Sequence, residues 1–219
     1  MLNKLKKNLI EYGHLAGIKG FSPGISGNLS ARCDDGIIIT ASGCANEFLT
    51  DEDFSLIDLE GNLKQGNPKP SSEKFLHLEF YKQREDIQCI FHVHSPYLTA
   101  YASAGVALDE GISPEIIYCL DTIPLSAYAL PGSAELVENT SQYFKQYDVI
   151  LLANHGVIVG GSDVKDAYLK LELAEAYAKT SICAKILGGA KILTEEEIKK
   201  INLLEGSRRG KNSDNYVRK

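Results

Sequence analysis

The chain has 219 residues, of which 44% are hydrophobic and 24% are charged, and its formal net charge is −6. This length supports one well-buried core and is short for two, so we expect a single domain over 1–205 and a tail over 206–219. The acidic balance argues against a protein that binds nucleic acid along its whole surface.

Hydrophobic spacing predicts helices and paired strands in the N-terminal half. Apolar residues at helical spacing indicate a helix over 2–18. Turn residues then separate short β-branched segments, which predicts two hairpins. The strands of these hairpins are predicted at 28–32, 37–40, 54–59 and 62–63. A helix over 72–84 and a strand over 87–94 follow.

The C-terminal half has the same mixed pattern of helices and strands. Its helices are predicted at 96–104, 114–119, 131–147 and 162–187. Its strands are predicted at 123–128, 149–153 and 157–159. A last helix begins at Thr194, where Thr194 and Glu197 fit a capping box. Because several strands form hairpins, we expect a three-layer α/β/α domain with a mostly antiparallel central sheet.

The cysteines and the N-terminal segment give no sign of export. Five cysteines are scattered along the chain and include no CxxC pair. They do not form a disulfide framework, so the reducing cytoplasm is the expected compartment. The N-terminal lysines are not followed by the apolar segment of a signal peptide. No stretch is long and apolar enough to predict a membrane span.

Three histidines have the spacing expected of a metal site. His92 and His94 are two apart in a predicted strand, so both imidazoles point to the same face. His155 lies in a turn between two apolar strands and offers a third ligand. A single buried histidine is more often a hydrogen-bonded core residue, but three with open coordination positions describe a catalytic zinc site. His77, four residues after Glu73, is either a fourth ligand or a packed residue beside the site.

Three short loops are rich in hydrogen-bond donors that suit a phosphate group. The segment 70–73 precedes a predicted helix, whose free N–H groups and positive dipole end favour an anion. The glycine-containing turns 24–30 and 40–43 offer similar chemistry. Each turn is ordinary by itself, and none is a GxGxxG or P-loop motif. Together with the histidines, the loops indicate a small phosphorylated substrate.

These motifs together resemble the class II aldolase/adducin family. The shared segments, in the order and spacing of the family, are Gly27-Asn28-Leu29-Ser30, Thr40-Ala41-Ser42-Gly43, Ser71-Ser72-Glu73, His92-Val93-His94 and His155-Gly156. The resemblance spans residues 5–205. It implies a metal-dependent aldehyde-lyase, a class II aldolase that cleaves a ketose 1-phosphate into dihydroxyacetone phosphate and an aldehyde.

The resemblance also implies a role for each motif. A single Zn2+ ion, or another divalent metal, is expected on His92, His94 and His155. Glu73 is expected as a further metal ligand in the resting enzyme and as the base that moves a proton. The implied phosphate contacts are Gly27, Asn28, Ser42, Gly43, Ser71 and Ser72. The family has a threonine where this chain has Ser42, which is a mild change.

The family further implies a homotetramer with active sites between subunits. A tyrosine from the neighbouring subunit is expected as the acid, and Tyr118 is the best match. Its surroundings, 104–122, depart from the family in length and content, so a simply packed tyrosine is the alternative. Tyr216 lies in the tail, which has five basic residues against one acidic residue. Tyr216 could close the site, or the tail could be a solvated chain end.

Other activities on the same scaffold are alternatives to an aldolase. They are a sugar-phosphate epimerase, decarboxylase or dehydratase. Pentulose-phosphate epimerases of the family are expected to have aspartate where this chain has Glu73, which favours an aldolase. Adducin-like members are interaction modules, and loss of the metal histidines would mark that state. All three histidines are present in this chain. The sequence does not predict which sugar is the substrate.

Overall fold

An eight-stranded sheet runs through the centre of the protein in the computed structural model, which describes residues 2–207. The strands are β1 (Asn28–Cys33), β2 (Gly36–Thr40), β3 (Phe54–Ile57), β4 (Leu63–Gly66), β5 (Cys89–Val93), β6 (Leu125–Ser126), β7 (Val149–Leu152) and β8 (Gly156–Gly161). Their order is β4-β3-β2-β1-β5-β8-β7-β6. Neighbouring strands are antiparallel apart from β6 and β7, which are parallel. The predicted α/β fold with a mostly antiparallel sheet is confirmed.

Helices cover both faces of the sheet. They are α1 (Leu2–Ile18), α2 (Lys74–Gln83), α3 (Pro96–Ala104), α4 (Pro114–Cys119), α5 (Ala134–Phe144), α6 (Val164–Ile186) and α7 (Glu195–Asn202). One core cluster joins α1, α3 and α6 to the sheet and includes Leu9, Phe91 and Leu171. The other joins α2 and α5, where the rings of Phe80 and Phe144 stack 4.2 Å apart. Within 2–207, none of the helices has the length and apolar character needed to cross a membrane.

Strand β5 separates these two cores through the alternation of its side chains. Phe91 and Val93 belong to the core under α1, α3 and α6. Ile90 belongs to the core under α2 and α5. His92 is two residues from Ile90, so the period of two places it on the α2 side of the sheet. The expected separation of the histidine face from the Val93 face is therefore observed.

Strand pairing brings the candidate loops together at one end of the strands. Asn28 at the start of β1 pairs with His92 near the end of β5. Val93 pairs with Val157 at the start of β8. Strand β2 is antiparallel to β1, so its last residue, Thr40, reaches the same edge. We call this side of the sheet, where these strand ends lie around His92, the histidine edge.

Helices α2 and α5 begin two and three residues later than the sequence pattern predicts. Helix α2 begins at Lys74 because the backbone of Glu73, with φ −93° and ψ 12°, is the N-cap and is not yet helical. Helix α5 begins at Ala134, where the side chain of Ser133 accepts a hydrogen bond from the N–H of Leu136. As the N-cap residue of α2, Glu73 has side-chain contacts with Asn28 and His92 on the neighbouring strands β1 and β5.

The strand predicted at 123–128 is much shorter in the structure. Only Leu125–Ser126 pairs with β7. Pro124 has no N–H to donate to a sheet, which interrupts the ladder. Ile123 pairs instead with Leu108, as an isolated bridge with N–H to carbonyl distances of 2.9 and 3.0 Å.

Candidate metal centre and active site

Three histidines meet at the histidine edge. One ligand-type nitrogen from each of His92, His94 and His155 lies within 4.8 Å of the others. The Nε2 atoms of His92 and His94 are 3.3 Å apart. His92 lies on β5, His94 directly after it, and His155 in the turn between β7 and β8. Imidazole nitrogens that converge in this way can hold a metal ion.

The surroundings of His92 fit a cation among these nitrogens. Its Nδ1 lies 3.0 Å from the carbonyl oxygen of Val157, so Nδ1 donates, and in the neutral ring Nε2 presents its lone pair to the cluster. A carboxylate oxygen of Glu73 lies 3.0 Å from the same Nε2, and His94 faces it as well. Lone pairs this close repel one another unless a shared cation offsets the repulsion. The donor set therefore fits a divalent metal ion.

Glu73 brings a carboxylate to the cluster from the start of α2. Its Oε2 accepts a hydrogen bond from Nδ2 of Asn28 at 3.0 Å. Its Oε1 lies 3.5 Å from Nε2 of His155 and, among the described residues, has no hydrogen-bond partner although it is buried. Burial raises the pKa of Glu73, but the charge of His92 and the hydrogen bonds from His92 and Asn28 outweigh it and hold the pKa well below its usual range. The carboxylate is ionised, with one oxygen available.

His94 and His155 are kept in the neutral form. Burial, and after it the charge of His92, lower the pKa of each imidazole to about 4. For His92, burial also lowers the pKa, but the nearby carboxylate of Glu73 raises it above the ordinary value. Neutral imidazoles are the form that binds a metal. His94 and His155 therefore offer lone pairs beside the negative charge of Glu73.

Backbone hydrogen bonds gather the three donor-rich loops beside this cluster. The hydroxyl of Thr40 accepts from the N–H of Leu29 at 3.1 Å. The carbonyl of Thr40 accepts a hydrogen bond from the N–H of Ser71 at 3.1 Å. The carbonyl of Lys69 accepts one from the N–H of Ser42 at 2.9 Å. Thr40 therefore joins all three loops. It was not among the predicted site residues, because its partners are far away in sequence.

The predicted phosphate-binding residues all lie on these gathered loops. They are Gly27, Asn28, Ser42, Gly43, Ser71 and Ser72. Asn28 and Ser71 are buried, and the hydroxyl of Ser71 accepts a hydrogen bond from the N–H of Glu73 at 3.3 Å. Ser42, Gly43 and Ser72 are exposed. Small exposed residues at the start of a helix leave room for an anion.

Gly27 has a conformation and a contact that only glycine allows. Its φ is +77°, in the left-handed region, and a Cβ at this position would overlap the carbonyl oxygen of His92. The loop therefore packs directly against the backbone of the metal-type histidine. Gly24 also has a positive φ, +64°, but no atom lies within 4 Å of its Cβ position.

Comparing these two glycines separates backbone strain from steric overlap. Gly24→Ala is expected to lose about 1 kcal/mol of unfolding free energy through left-handed strain alone. Gly27→Ala should lose about 3 kcal/mol or more, because the overlap with His92 adds to that strain. Urea unfolding of the metal-free proteins measures both. Equal losses would mean that the loop does not pack as closely as described.

His77 lies beside the cluster without joining it. The group of metal-type ligands found in 2–207 does not include His77. Its Nδ1 hydrogen-bonds the hydroxyl of Ser30 at 2.7 Å, and Ser30 also bonds the hydroxyl of Tyr81 at 2.8 Å. Complete burial lowers the pKa of His77 to about 3. Of the two roles expected for His77, the packed residue beside the site agrees with this position.

Tyr118 lies near the opposite ends of the same strands, on the side of the sheet that we call the far edge. It lines a cavity with Ile87 and other residues at the beginning of β5 and the end of β8. Its hydroxyl donates to the carbonyl of Glu205 at 2.8 Å. At about 3.3 Å per strand residue, His94 is roughly 20 Å from Ile87. Tyr118 is therefore far from the histidines of its own chain, and Tyr216 lies outside the described residues.

The fold and the site define an α/β protein with a histidine- and carboxylate-lined centre at one sheet edge. Residues 7–182 match the family described as Class II Aldolase and Adducin N-terminal domain. The chain belongs to this family. Membership supports a lyase-type enzyme.

Individual relatives differ in the activity for which they are named. An L-fuculose phosphate aldolase of Methanococcus maripaludis is 36% identical over 83% of this chain and 97% of its own. A 3-oxo-tetronate 4-phosphate decarboxylase of Haemophilus influenzae is 36% identical over 89% of this chain and 94% of its own. A solved L-fuculose 1-phosphate aldolase is 30% identical with a TM-score of 0.84, covering 90% of this chain and 94% of its own.

Proposed function

We propose that the protein is a zinc-dependent aldolase that cleaves a ketose 1-phosphate, such as L-fuculose 1-phosphate, into dihydroxyacetone phosphate and an aldehyde. The observation that carries this proposal is the contact of the buried Glu73 carboxylate with the clustered histidines. The relatives named as fuculose phosphate aldolases support it. The catalytic domain would span 1–205, with 206–219 as a basic tail.

The proposed division of the site places phosphate and metal side by side. The phosphate would bind the exposed Ser42, Gly43 and Ser72 and the free N–H groups at the start of α2, where the helix dipole favours an anion. Zinc would be held by the three clustered histidines, with Glu73 as a further ligand before substrate binds. When bound, the metal supplies a Lewis acid that stabilises the negative charge developing on the substrate oxygens.

Glu73 is proposed to carry the proton at C3 of the sugar. During cleavage the C4 hydroxyl loses its proton and the C3–C4 bond breaks to give the aldehyde. Glu73, which is ionised before substrate binds, takes up an equivalent proton and delivers it to C3, so no net proton is gained or lost. In the reverse direction Glu73 removes that proton. Asn28 holds one carboxylate oxygen, and the other has no hydrogen-bond partner among the described residues. One oxygen can therefore face the substrate while the side chain keeps its position.

Tyr118 is proposed to move the proton at the aldehyde-side oxygen of a neighbouring subunit. Its position at the far edge supports a role in another copy, since its own histidines lie at the opposite edge. This geometry agrees with sites between subunits, and the homotetramer is what the family resemblance implies. The tail begins beside Tyr118, whose hydroxyl contacts the carbonyl of Glu205. Tyr216, which lies in the tail outside the described residues, is proposed to close the active site.

Mixed oligomers test this arrangement. Tyr118→Phe and His94→Ala should each be nearly inactive, but their mixture should recover about one quarter of wild-type activity, because that share of sites receives both intact residues. Mixing His94→Ala with His155→Ala is the control and should recover none, since both changes fall on one chain's metal centre. Native mass spectrometry confirms mixing. Verified mixed tetramers without recovery would contradict the role of Tyr118.

A decarboxylase is the second candidate, because the Haemophilus influenzae relative is named for that reaction and is 36% identical. Loss of CO2 from 3-oxo-tetronate 4-phosphate and cleavage of a ketose 1-phosphate both leave the enediolate of dihydroxyacetone phosphate. The same phosphate loops and Glu73 would serve either reaction. Glu73 in place of aspartate argues against an epimerase, and the three histidines argue against a non-catalytic adducin-like module.

A product assay separates these candidates. The zinc-loaded protein is incubated with L-fuculose 1-phosphate, 5-deoxy-D-ribulose 1-phosphate and 3-oxo-tetronate 4-phosphate in turn. We expect dihydroxyacetone phosphate and an aldehyde in equal amounts from a ketose 1-phosphate. Dihydroxyacetone phosphate and CO2 from the third compound alone would replace the aldolase with the decarboxylase. Turnover of none of them would contradict both.

A further inference from the structure

Helix α3 begins directly after the clustered histidines, and a distant side chain caps its first turn. Ser95 is the N-cap residue, but its side chain makes no capping hydrogen bond. Pro96 follows it and has no N–H to donate. The N–H groups of Tyr97 and Leu98 instead donate to the two carboxylate oxygens of Glu175, at 2.8 and 2.9 Å.

Glu175 is a buried carboxylate on α6, with 5% of its surface exposed. The ion pairs formed by the described residues do not include it. Lys179, one turn further along α6, lies over the ring of Tyr97 with its Nζ 5.5 Å from the centroid. Burying a carboxylate is unfavourable unless its charged form is hydrogen-bonded. The start of α3 supplies those hydrogen bonds and the positive end of the helix dipole.

A local cap from Ser95 would satisfy the same N–H groups without burying a charge. The cap from Glu175 differs in one respect: it ties the start of α3 to α6. Helix α6 packs across the sheet in the same core as Phe91 and Val93 of β5. The position of the α3 start is thereby fixed relative to the strand that leads into the histidine edge.

Only Ser95 separates His94 from α3. The carbonyl of Ser95 accepts the first helical hydrogen bond, from the N–H of Thr99 at 2.8 Å. His92 is held by β5 and by the carbonyl of Val157. Among the described residues, the ring of His94 has a hydrogen-bonding contact only with His92, across the cluster. The direction of His94 is therefore set by the backbone that enters α3.

We infer that Glu175 is a positioning residue for the metal centre, which fixes the start of α3 and thereby holds His94 in place to ligate the metal. This role depends on the proposed function, since it needs a metal at the histidines. A purely structural cap would stabilise the fold without changing the metal affinity of the folded protein. Metal affinity is consequently the property that distinguishes the two roles.

The test compares two changes at the same α3–α6 contact. Glu175→Gln keeps the size of the side chain but replaces one accepting oxygen by an NH2 group, so one N–H of α3 loses its partner. Tyr101→Phe is the matched control, because it removes the 2.7 Å hydrogen bond from the Tyr101 hydroxyl to Ser181 without touching the start of α3. Zinc dissociation constants are measured by chelator competition, and Co2+ absorption spectra are recorded, at a temperature where both variants are folded.

Glu175→Gln should weaken zinc binding roughly ten- to hundredfold and change the Co2+ bands, while Tyr101→Phe stays within about twofold of wild type. Wild-type affinity and an unchanged spectrum in Glu175→Gln would overturn the role. If Glu175→Gln does not fold, Glu175→Asp, which shortens the side chain by one methylene, is read in the same way. A wild-type protein that binds no zinc would instead overturn the proposed metal centre itself.

Discussion

Replacing His94 by alanine is expected to lower bound zinc from about one ion per chain to almost none, and activity by at least about 10³-fold. His94 and His92 face each other with their Nε2 atoms 3.3 Å apart, and His155 completes the group. Two imidazoles alone leave the metal without a third fixed nitrogen. Elemental analysis after dialysis against zinc measures the metal, and the product assay measures activity.

His14→Ala is the matched control for this loss. His14 is exposed, and its Nδ1 lies 3.0 Å from the carbonyl of Glu47, away from the cluster. It should keep wild-type zinc content and activity. His94→Ala should still fold, because removing a half-buried imidazole also removes a close approach between two lone pairs. One tightly bound zinc ion per chain in folded His94→Ala would place the metal elsewhere.

Glu73→Gln should lower activity by about 10²- to 10⁴-fold while zinc remains bound. Glutamine keeps the shape of the side chain and can still accept a hydrogen bond from Asn28 Nδ2. It cannot take up and return a proton. Zinc should stay because the three histidines are unchanged. Steady-state rates and metal analysis on one preparation separate the lost proton transfer from lost metal.

Glu79→Gln provides a comparison on the same helix. Glu79 accepts a hydrogen bond from Gln83 at 2.8 Å and lies 3.8 Å from Lys82. Both partners of its carboxylate are residues of α2. We expect this variant to keep wild-type rates. Full activity in Glu73→Gln, measured beside this control, would remove Glu73 from the reaction and leave the proton at C3 without a carrier.

The strand part of the metal centre could be predicted from local sequence. Side chains alternate along a strand, so His92 and His94 had to share a face that Val93 does not. His155 is different. Its place beside them depends on β8 pairing with β5, which joins residues 64 positions apart, such as Val93 and Val157. The local spacing of residues does not predict that pairing. The order of the family motifs along the chain predicted His155 as the third ligand.

Contacts made through distant backbone could not be predicted. Thr40 joins three loops through one hydroxyl and one carbonyl. Glu175 caps α3 from 77 positions away. Thr40 lies in a predicted loop without being one of its predicted contacts, and Glu175 belongs to no predicted motif. Hydrogen bonds to backbone groups require no particular sequence in the partner, so neither role could be predicted. The start of α2 was predicted too early because a serine is a common N-cap residue. In the structure the N-cap is Glu73.

The predicted tyrosines show a further limit of the sequence. Tyr118 matches the family by position, but its chain places it at the far edge. A motif gives the residue type that a reaction needs and does not say which subunit supplies it. Only a second copy could bring Tyr118 to a histidine cluster, which is why the mixed-oligomer experiment is informative.

Proton exchange on dihydroxyacetone phosphate alone tests the central claim most directly, because both candidate reactions share its enediolate and no aldehyde has to be known. In D2O, the zinc-loaded protein should replace one of the two protons on the hydroxymethyl carbon by deuterium, seen as a halved proton NMR signal. Exchange should stop when zinc is removed by a chelator, return when zinc is restored, and be absent in Glu73→Gln. A folded, zinc-loaded wild-type protein that exchanges no proton, or undiminished exchange in Glu73→Gln, would contradict the proposed chemistry.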